Sequence, residues 1–474
     1  MSATIRILLA GALAAQLAGA AAASAQSIAP LGGQLPRTSP FAGGVPDGTA
    51  TAEPVSVDII QAILRSLDHN LGLMLAEQDT ASARGDRWTA LSRLLPNASA
   101  SLTESRRKSN LEAFGFPLGP GFPRIVGPFT VFDARVFASQ PLFDLDALNE
   151  SRAAAHRVAA SEHTYRHGRS IVMLATANIY LQALAAQARS AAAGAQLASA
   201  QAIHQQALDL RKNGIVAGLD VVRADVQVSI DRQRATAAAN DFEKAKLQLA
   251  RIVGLPIGQP FTLVDDVPTV PDRAFTVEEA LKEAYVKRED FLAAEEEVRA
   301  AAARRNAALA AHLPSVRVNA DFGTIGLTPG TALPTFNVTG ALDVPIFDGG
   351  RRKGRLVNAD AELRERQARL EDMRAMVYYD VRTAFLDVEA TEQQLEAAER
   401  GRALATQQLE QSRDRFAAGV ATNIEIVQAQ EAVAVATEQA ISARYGYSVA
   451  KALLAQSNGS AEEALMKVLK GSKP

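Results

Sequence analysis

Two patterns of apolar residues alternate along this chain, and each occurs twice. In Ser315–Gly323, Val316, Val318, Ala320 and Phe322 interleave with Ser315, Arg317, Asn319 and Asp321. In Pro334–Ile346, Phe336, Val338, Leu342, Val344 and Ile346 hold one parity, and Thr335, Asn337, Thr339 and Asp343 the other. The alternation recurs more weakly upstream. Ala98, Ala100 and Leu102 oppose Asn97, Ser99, Ser101 and Thr103; over Phe129–Gln140, Phe132, Ala134, Val136 and Ala138 oppose Asp133, Arg135 and Ser139. Period two predicts four β-strands, because successive strand side chains point to opposite faces. Runs of about ten residues suit strands that cross a membrane. A half-buried strand of a soluble sheet alternates in the same way, so the strands alone leave both settings open.

The second pattern is helical and very long. From Asp144 to about Lys212, and again from Asp348 to about Ala418, no proline interrupts a sequence dominated by Ala, Leu, Gln, Glu and Arg. Roughly 70 residues at 1.5 Å each give a helix of about 100 Å. Globular helices average about three turns, so these belong to a coiled coil or a solenoid. Asp144 and Asp348 stand where an N-cap is needed, directly after a strand. Small residues are abundant (Ala153–Ala155, Ala191–Ala193, Ala301–Ala303), which suits close helix–helix approach, and apolar heptad stripes are thin.

The two patterns form one unit, duplicated. Gln140-Pro-Leu-Phe-Asp144 corresponds to Val344-Pro-Ile-Phe-Asp348 at an offset of 204. Arg211–Gly214 corresponds to Phe416–Gly419, Gly218–Val222 to Asn423–Val427 and Ala250–Gly254 to Ala455–Gly459, all at 205. Leu95-Pro96 corresponds to Leu313-Pro314 at 218, so the length difference lies between the strands. Each half reads as a helix ending at Pro96 or Pro314, two strands, a long helix, a glycine turn and a second long helix. The expected division is a first repeat over 53–257, a linker over 258–273, a second repeat over 274–459 and a tail over 460–474.

The N-terminus adds a compartment. Arg6, an apolar run from Ile7 to Ala23 and the small-residue sequence Ala23-Ser24-Ala25 make residues 1–25 a secretory signal peptide cleaved after Ala25, the run being short for a membrane anchor. Residues 26–52, rich in Pro, Gly, Ser and Ala, read as a mobile leader. No later segment holds about 20 consecutive apolar residues, which argues against a spanning helix in the mature chain. There is no cysteine, which excludes disulfides, thiolate metal sites and thiol catalysis. The formal net charge is −2 with basic residues scattered, so no nucleic-acid footprint is present.

With the signal peptide, the duplicated strand–strand–helix–turn–helix halves, the Pro-Leu-Phe-Asp and Pro-Ile-Phe-Asp-Gly-Gly junctions and the glycine turns, the chain resembles the TolC family from roughly Glu53 to Leu469. The resemblance implies a mainly α fold with transmembrane β: a homotrimer in which each chain gives four strands to a twelve-stranded β-barrel in outer membrane lipid, above a coiled-coil α-barrel in the periplasm. It implies a passive exit duct of a tripartite efflux or type I secretion system, working with a periplasmic adaptor and an inner-membrane pump of the RND or ABC type. Four strands cannot close a barrel, and an open edge in lipid leaves backbone groups unsatisfied, so several chains must pool their strands.

The helix turns carry the candidate sites. Gly214 and Gly419 supply the left-handed geometry that ends a helix, and Thr422 and Asn423 are positioned to cap the next one. The family resemblance makes these turns a periplasmic tip: Gly214, Gly218, Leu219, Val222, Gly419, Thr422 and Ile424 would meet adaptor hairpins, and acids near the second turn would line a gate. Glu425 matches one such acid; the second falls on Gln428, which is uncharged. Three Glu425 side chains about an axis would attract cations and repel one another. Asp220 and Glu425 are equally first-turn acids favoured by the helix dipole.

Other motifs point away from chemistry. His156, His163 and His167 read as solvated helix surface, since His163-Thr-Tyr-Arg-His167 lacks the acid of a metal-binding H-E-x-x-H. Gly349–Gly354 lacks phosphate-loop spacing, and Arg351, Arg352, Lys353 and Arg355 read as a basic collar near lipid headgroups. No nucleophile elbow, acid pair or dinucleotide fingerprint appears, so neither an enzyme nor a cofactor is expected. The alternative, a periplasmic adaptor, predicts one hairpin and β-rich domains.

Overall fold

The computed structural model describes residues 39–115, 123–264, 276–418, 420 and 423–463. Ala25, the signal peptide, the first part of the leader, residues 265–273 of the linker and most of the tail lie outside them. Strand β1 (Val55–Val57) leads to helices α1 (Ile59–His69) and α2 (Leu71–Ser92) and strands β2 (Asn97–Asn110) and β3 (Ile125–Phe143). Helices α3 (Leu145–Lys212) and α4 (Gly218–Val253) complete the first repeat. After β4 (Phe261–Leu263) come α5 (Val277–Lys287), α6 (Glu289–Ala310), β5 (Ser315–Gly326), β6 (Leu333–Asp343), α7 (Arg351–Ala417) and α8 (Asn423–Ser457). Two compact units result. One holds the reversing ends of the long helices, 184–241 and 390–451, and the other holds 37–183, 242–389 and the rest of α8.

In the strand-bearing unit, the four expected strands form one antiparallel sheet in the order β2-β3-β5-β6. Asn97 stands opposite Ser139, Ala138 opposite Ala320, and Ser315 opposite Asp343. β2 and β3 run beyond their expected ends, whereas β6 stops at Asp343 instead of continuing to Ile346. The helices preceding β2 and β5 stop at Ser92 and Ala310, short of Pro96 and Pro314, and close in tight turns such as Leu94 N–H to Leu91 O.

The two aspartates cap as expected, by different routes. Asp144 Oδ1 accepts the Ala147 N–H at 2.9 Å, one residue before α3 begins. Asp348 is separated from α7 by Gly349 and Gly350, at φ +67° and +93°, a backbone that only glycine adopts readily. Through that turn its carboxylate still reaches the Gly350 and Arg352 N–H groups at 3.2 and 3.0 Å. Burial works to raise the Asp348 carboxyl, but the Arg352 guanidinium and these two N–H groups outweigh it and hold the carboxyl below its ordinary range.

The expected basic collar is only half a collar. Arg352 folds back onto Asp348 at 2.8 Å and onto the Pro345 carbonyl at 3.0 Å. Arg355 reaches Asp146 and Glu150 at 2.7 and 2.6 Å, and Asp146 also binds Arg93 at 3.0 Å. Arg355 and Arg93, meeting at Asp146, tie α2, α3 and α7 together, and Arg352 closes the turn before α7; Arg351 and Lys353 are the exposed ones.

The histidines are half-buried, and two of them have carboxylate partners. His156 Nδ1 lies 2.7 Å from Glu296 and His163 Nδ1 2.6 Å from Glu289. The acids come from α6, whose residues at the same seven-residue spacing meet α3 in antiparallel order. Burial pushes the His167 imidazolium down, and Arg288 pushes it the same way against Asp290 and Glu289.

The leader also departs from expectation from Ser39 onward. The Gly44, Val45 and Asp47 N–H groups donate to Arg251, His69 and Gly254 carbonyls at 2.8, 2.8 and 3.3 Å. Asn70 Nδ2 donates to Phe41 O at 3.0 Å, and Gln259 accepts the Thr51 N–H at 2.7 Å. Phe41 fills space that any side chain at Gly72 would need. Fixed polar partners offset the chain entropy that the composition alone foretold as mobility.

Among the described residues, α3 alone carries an 18-residue window as apolar as a spanning helix, with mean hydropathy 1.4. Over half of that window is buried. Its members include Tyr180, whose hydroxyl donates to Val57 O at 3.0 Å, and Thr176, bonded to Ser66 at 2.9 Å. The run is therefore interior packing surface.

Candidate functional site

The hairpin unit reverses the chain twice by one device. α3 ends in Gly214 at φ +72°, with Ile215 N–H reaching back to Leu210 O at 3.0 Å. In the second reversal, Val420 N–H reaches Arg415 O at 3.0 Å, the same bond displaced by the 205-residue repeat. Gly419 and Thr422 fall outside the described residues, as does the Asn423 side chain. Gly218 opens α4 beneath Arg211, whose guanidinium carbon lies 3.4 Å from where a Cβ would stand. Ile215, Leu219, Val222 and Val226 each leave over half their surface exposed. Ile424 and Gln428 are exposed on the second hairpin.

The two acids at equivalent positions have different partners. Asp220 lies 3.5 Å from Arg223 on its own helix. Glu425 lies 3.1 Å from Arg415, an ion pair between α8 and the end of α7. Behind Glu425, Ile426 is fully buried with Phe416, Leu409, Ala429 and Ile203. In the same place the first hairpin has Val221, Ala207 and Ala224 with Leu208 against them, and its Leu210 and Val216 pack on the Ile426 cluster instead.

Farther from the turns, the hairpins are cross-linked by charge. Arg189 grips both Glu438 oxygens at 2.9 Å, and Arg234 binds Glu431 at 2.8 and 3.1 Å. The Glu431 hydrogen bond, against burial, raises the Arg234 guanidinium further above its ordinary value. Arg413 donates to Ser199, and Arg444 pairs with Glu399. Asp231, nearly fully buried, accepts from Gln227 at 3.1 Å. A cavity of about 260 Å³ lies among Gln196, Ser199, Asp231, Arg413, Gln430 and Thr437. Sequence spacing gave no hint of these pairs: Arg234 and Glu431 stand 197 residues apart, and Arg189 and Glu438 stand 249 apart.

In the strand-bearing unit, the sheet has one face for lipid. Leu102, Val136, Phe322, Phe336, Val338 and Leu342 share it, all exposed. So large an apolar patch left bare on a soluble protein would aggregate. The other face carries Arg135, which bonds Asp133 at 3.3 Å, Asp321, and Thr335 two strands away at 3.1 Å. Gly323 lies between and has no side chain to block that reach: a Cβ there would come within 2.8 Å of Arg135 Cβ. Ser139 and Asn319 add a 2.8 Å bond on the same face.

Known proteins share this build. The family model described as outer membrane efflux protein matches residues 62–255 and 280–460, one segment in each repeat. The pyoverdine export outer membrane protein OpmQ of Pseudomonas putida is 27% identical over 430 residues, covering 87% of this chain and 88% of that protein. A membrane protein from Pseudomonas aeruginosa superposes with a TM-score of 0.75 at 21% identity, over 88% of this chain and 100% of that one. The outer membrane protein VceC of Vibrio cholerae gives 0.73 at 18% identity, over 85% and 96%. The match to both repeats, on a sheet with a lipid face and a polar face, means that the chain belongs to the outer membrane efflux protein family and is a channel of the outer membrane.

Proposed function

We propose that three copies of this chain assemble into a passive exit duct. The observation that carries this reading is the four-stranded sheet, which presents an apolar face to lipid while β2 and β6 keep open edges. Backbone groups at such edges have no partner in a bilayer, so the strands must be pooled until a barrel closes. The hairpin turns form the periplasmic tip. There the exposed Leu219, Val222 and Ile424 meet an adaptor that connects to an inner-membrane pump of the RND or ABC type, and Gly214, Gly218, Gly419 and Thr422 shape the surface. The duct performs no catalysis and needs no cofactor; the signal peptide ending at Ala25 directs export. The OpmQ relative makes pyoverdine-like export the first cargo to test.

Gating belongs to the tip. Glu425 is tied to Arg415, Gln428 follows three residues on, and Asp220 holds the equivalent position on the first hairpin. Opening repacks the hairpins and frees the Glu425 carboxylates to draw cations. The test is single-channel conductance of purified protein in planar bilayers, wild type against Glu425→Ala. A small cation-selective conductance that loses its selectivity in the variant supports duct and gate together. A channel with unchanged selectivity removes Glu425 from the gate, and no channel at all removes the duct.

A further inference from the structure

The duplication fixes how neighbouring copies join, residue by residue, on the assembly reading above. The β3–β5 seam is where the first repeat meets the second within the chain. The free edges, β6 and β2, are the repeat-equivalents of β3 and β5. The two offsets that relate them come from the Pro-Leu-Phe-Asp and Pro-Ile-Phe-Asp junctions and from the two Leu-Pro pairs, and the ladders check them. Shifting the Asn97–Ser139 rung by 218 and 204 lands on Ser315–Asp343, and shifting Leu102–Ala134 lands on Ala320–Val338, both of which are observed rungs.

We infer that β6 of one copy pairs antiparallel with β2 of the next in the register of the β3–β5 seam. Ala138–Ala320 then maps to Leu342 opposite Leu102 of the neighbouring copy, and Phe137–Asp321 to Ala341 opposite Thr103. Arg135–Gly323 maps to Thr339 opposite Ser105, and Asp133–Ile325 to Asn337 opposite Arg107. Faces agree at each of these rungs: leucine meets leucine on the lipid side, and on the lumen side Thr339 meets Ser105 and Asn337 meets Arg107, with the small Ala341 opposite Thr103. A slip of one residue reverses all of them.

The register accounts for the early end of β6. Gln140–Val318 maps to Val344 opposite Ala100, and Phe143–Val316 to Phe347 opposite Ala98. In the first repeat this stretch is strand because β5 is there to pair with it. In the second repeat its partner is another molecule, and Ile346 and Phe347 are 92% and 89% exposed. Assembly extends β6 through the Pro-Ile-Phe segment, with Ile346 at the bulge that interrupts the β3–β5 ladder between Pro141 and Phe143.

The same register sets the barrel. The rungs from Ala98 to Ala138, Ala320 and Val338, and across the seam to Arg106 of the next copy, climb eight residues. Three copies climb 24 over twelve strands. With strands about 4.8 Å apart and about 3.4 Å per residue, the strands tilt about 55° and opposite walls stand about 32 Å apart, steeper and wider than a barrel tilted about 40°.

Cysteine pairing tests it in the full-length protein, whose natural sequence has no cysteine. Facing strand residues have Cα atoms about 4.5–5.5 Å apart, within disulfide reach, and diagonal neighbours at about 7–8 Å are outside it. Leu342→Cys with Leu102→Cys, and Ala341→Cys with Thr103→Cys, are the in-register pairs. Ala341→Cys with Ser101→Cys, or with Ser105→Cys, are off register, and the single variants control for folding and assembly. Oxidation of outer membranes should give covalent dimers and trimers, and nothing larger, from the in-register pairs only. Cross-linking of the off-register pairs instead, or of neither set in protein that still migrates as a native trimer, overturns the register and leaves the trimer standing. Protein that is monomeric in every variant and in wild type overturns the assembly reading and the register with it.

Discussion

The two hairpin reversals began as copies of one segment and have come to hold themselves closed differently. The first has a small core of its own, Val221 with Ala207, Ala224 and Leu208, and lends Leu210 and Val216 to the core of the second. It pairs its acid along its own helix and leaves a row of exposed Ile215, Leu219, Val222 and Val226. The second has Ile426 buried against Phe416 and Leu409, with Glu425 bridged to Arg415 across the helix pair. The backbone bond that ends each first helix is the same in both. Duplication preserved what backbone geometry demands and released the side chains, so one hairpin became sticky and the other clasped.

The contrast can be broken most strongly from inside. Ile426→Ala should cost about 2–4 kcal/mol, and Val221→Ala, at the equivalent place, about half that, read as loss of thermal stability in detergent. Equal losses would show that the second core is no stronger than the first. Next, Leu219→Asp or Val222→Asp should lower cargo export at least tenfold while leaving membrane assembly and bilayer conductance intact, because the charge falls on the row proposed to dock the adaptor. Export at wild-type level would take that row out of docking.

Smaller effects sharpen the contrast. Gly214→Ala forces a side chain into a left-handed backbone and should cost about 1 kcal/mol, with nothing nearby to add a clash. Arg415→Ala removes a partly exposed ion pair and should cost under about 1 kcal/mol, so its signature is electrical: more frequent opening, with cation selectivity retained. Arg223→Ala, beside Asp220, should leave opening unchanged. Equal responses to the two arginine variants would mean that the Glu425 clasp does not differ in kind from the Asp220 pair.

What the sequence made legible was what neighbours along the chain decide. Strand parity, the Asp144 cap and the Gly214 reversal depend on residues a few positions apart, and all are found where the pattern put them. The partners of His156 and His163 lie 140 and 126 residues away, and no helical spacing reveals a carboxylate that arrives on another helix. Residues 39–52 were misread because composition reports the entropy of a free chain and says nothing about Asn70 and Gln259 waiting to bind it. Arg352 and Arg355 were misread because a run of positive charge looks alike whether it faces lipid or the aspartates of its own fold.

Arg135 has a further consequence, best put as a circuit. In the proposed duct, barrel and tip are resistors in series, and the narrower one sets both the current and its sign preference. Arg135, half-buried on the sheet's polar face, is spent on Asp133 and Asp321 within the wall, whereas Arg107 and Arg317 stand exposed on the same face, so the strands' own preference rests on those two. A change in reversal potential on altering Glu425 is therefore compared with the change on altering Arg107 and Arg317, which measures the strands' own share.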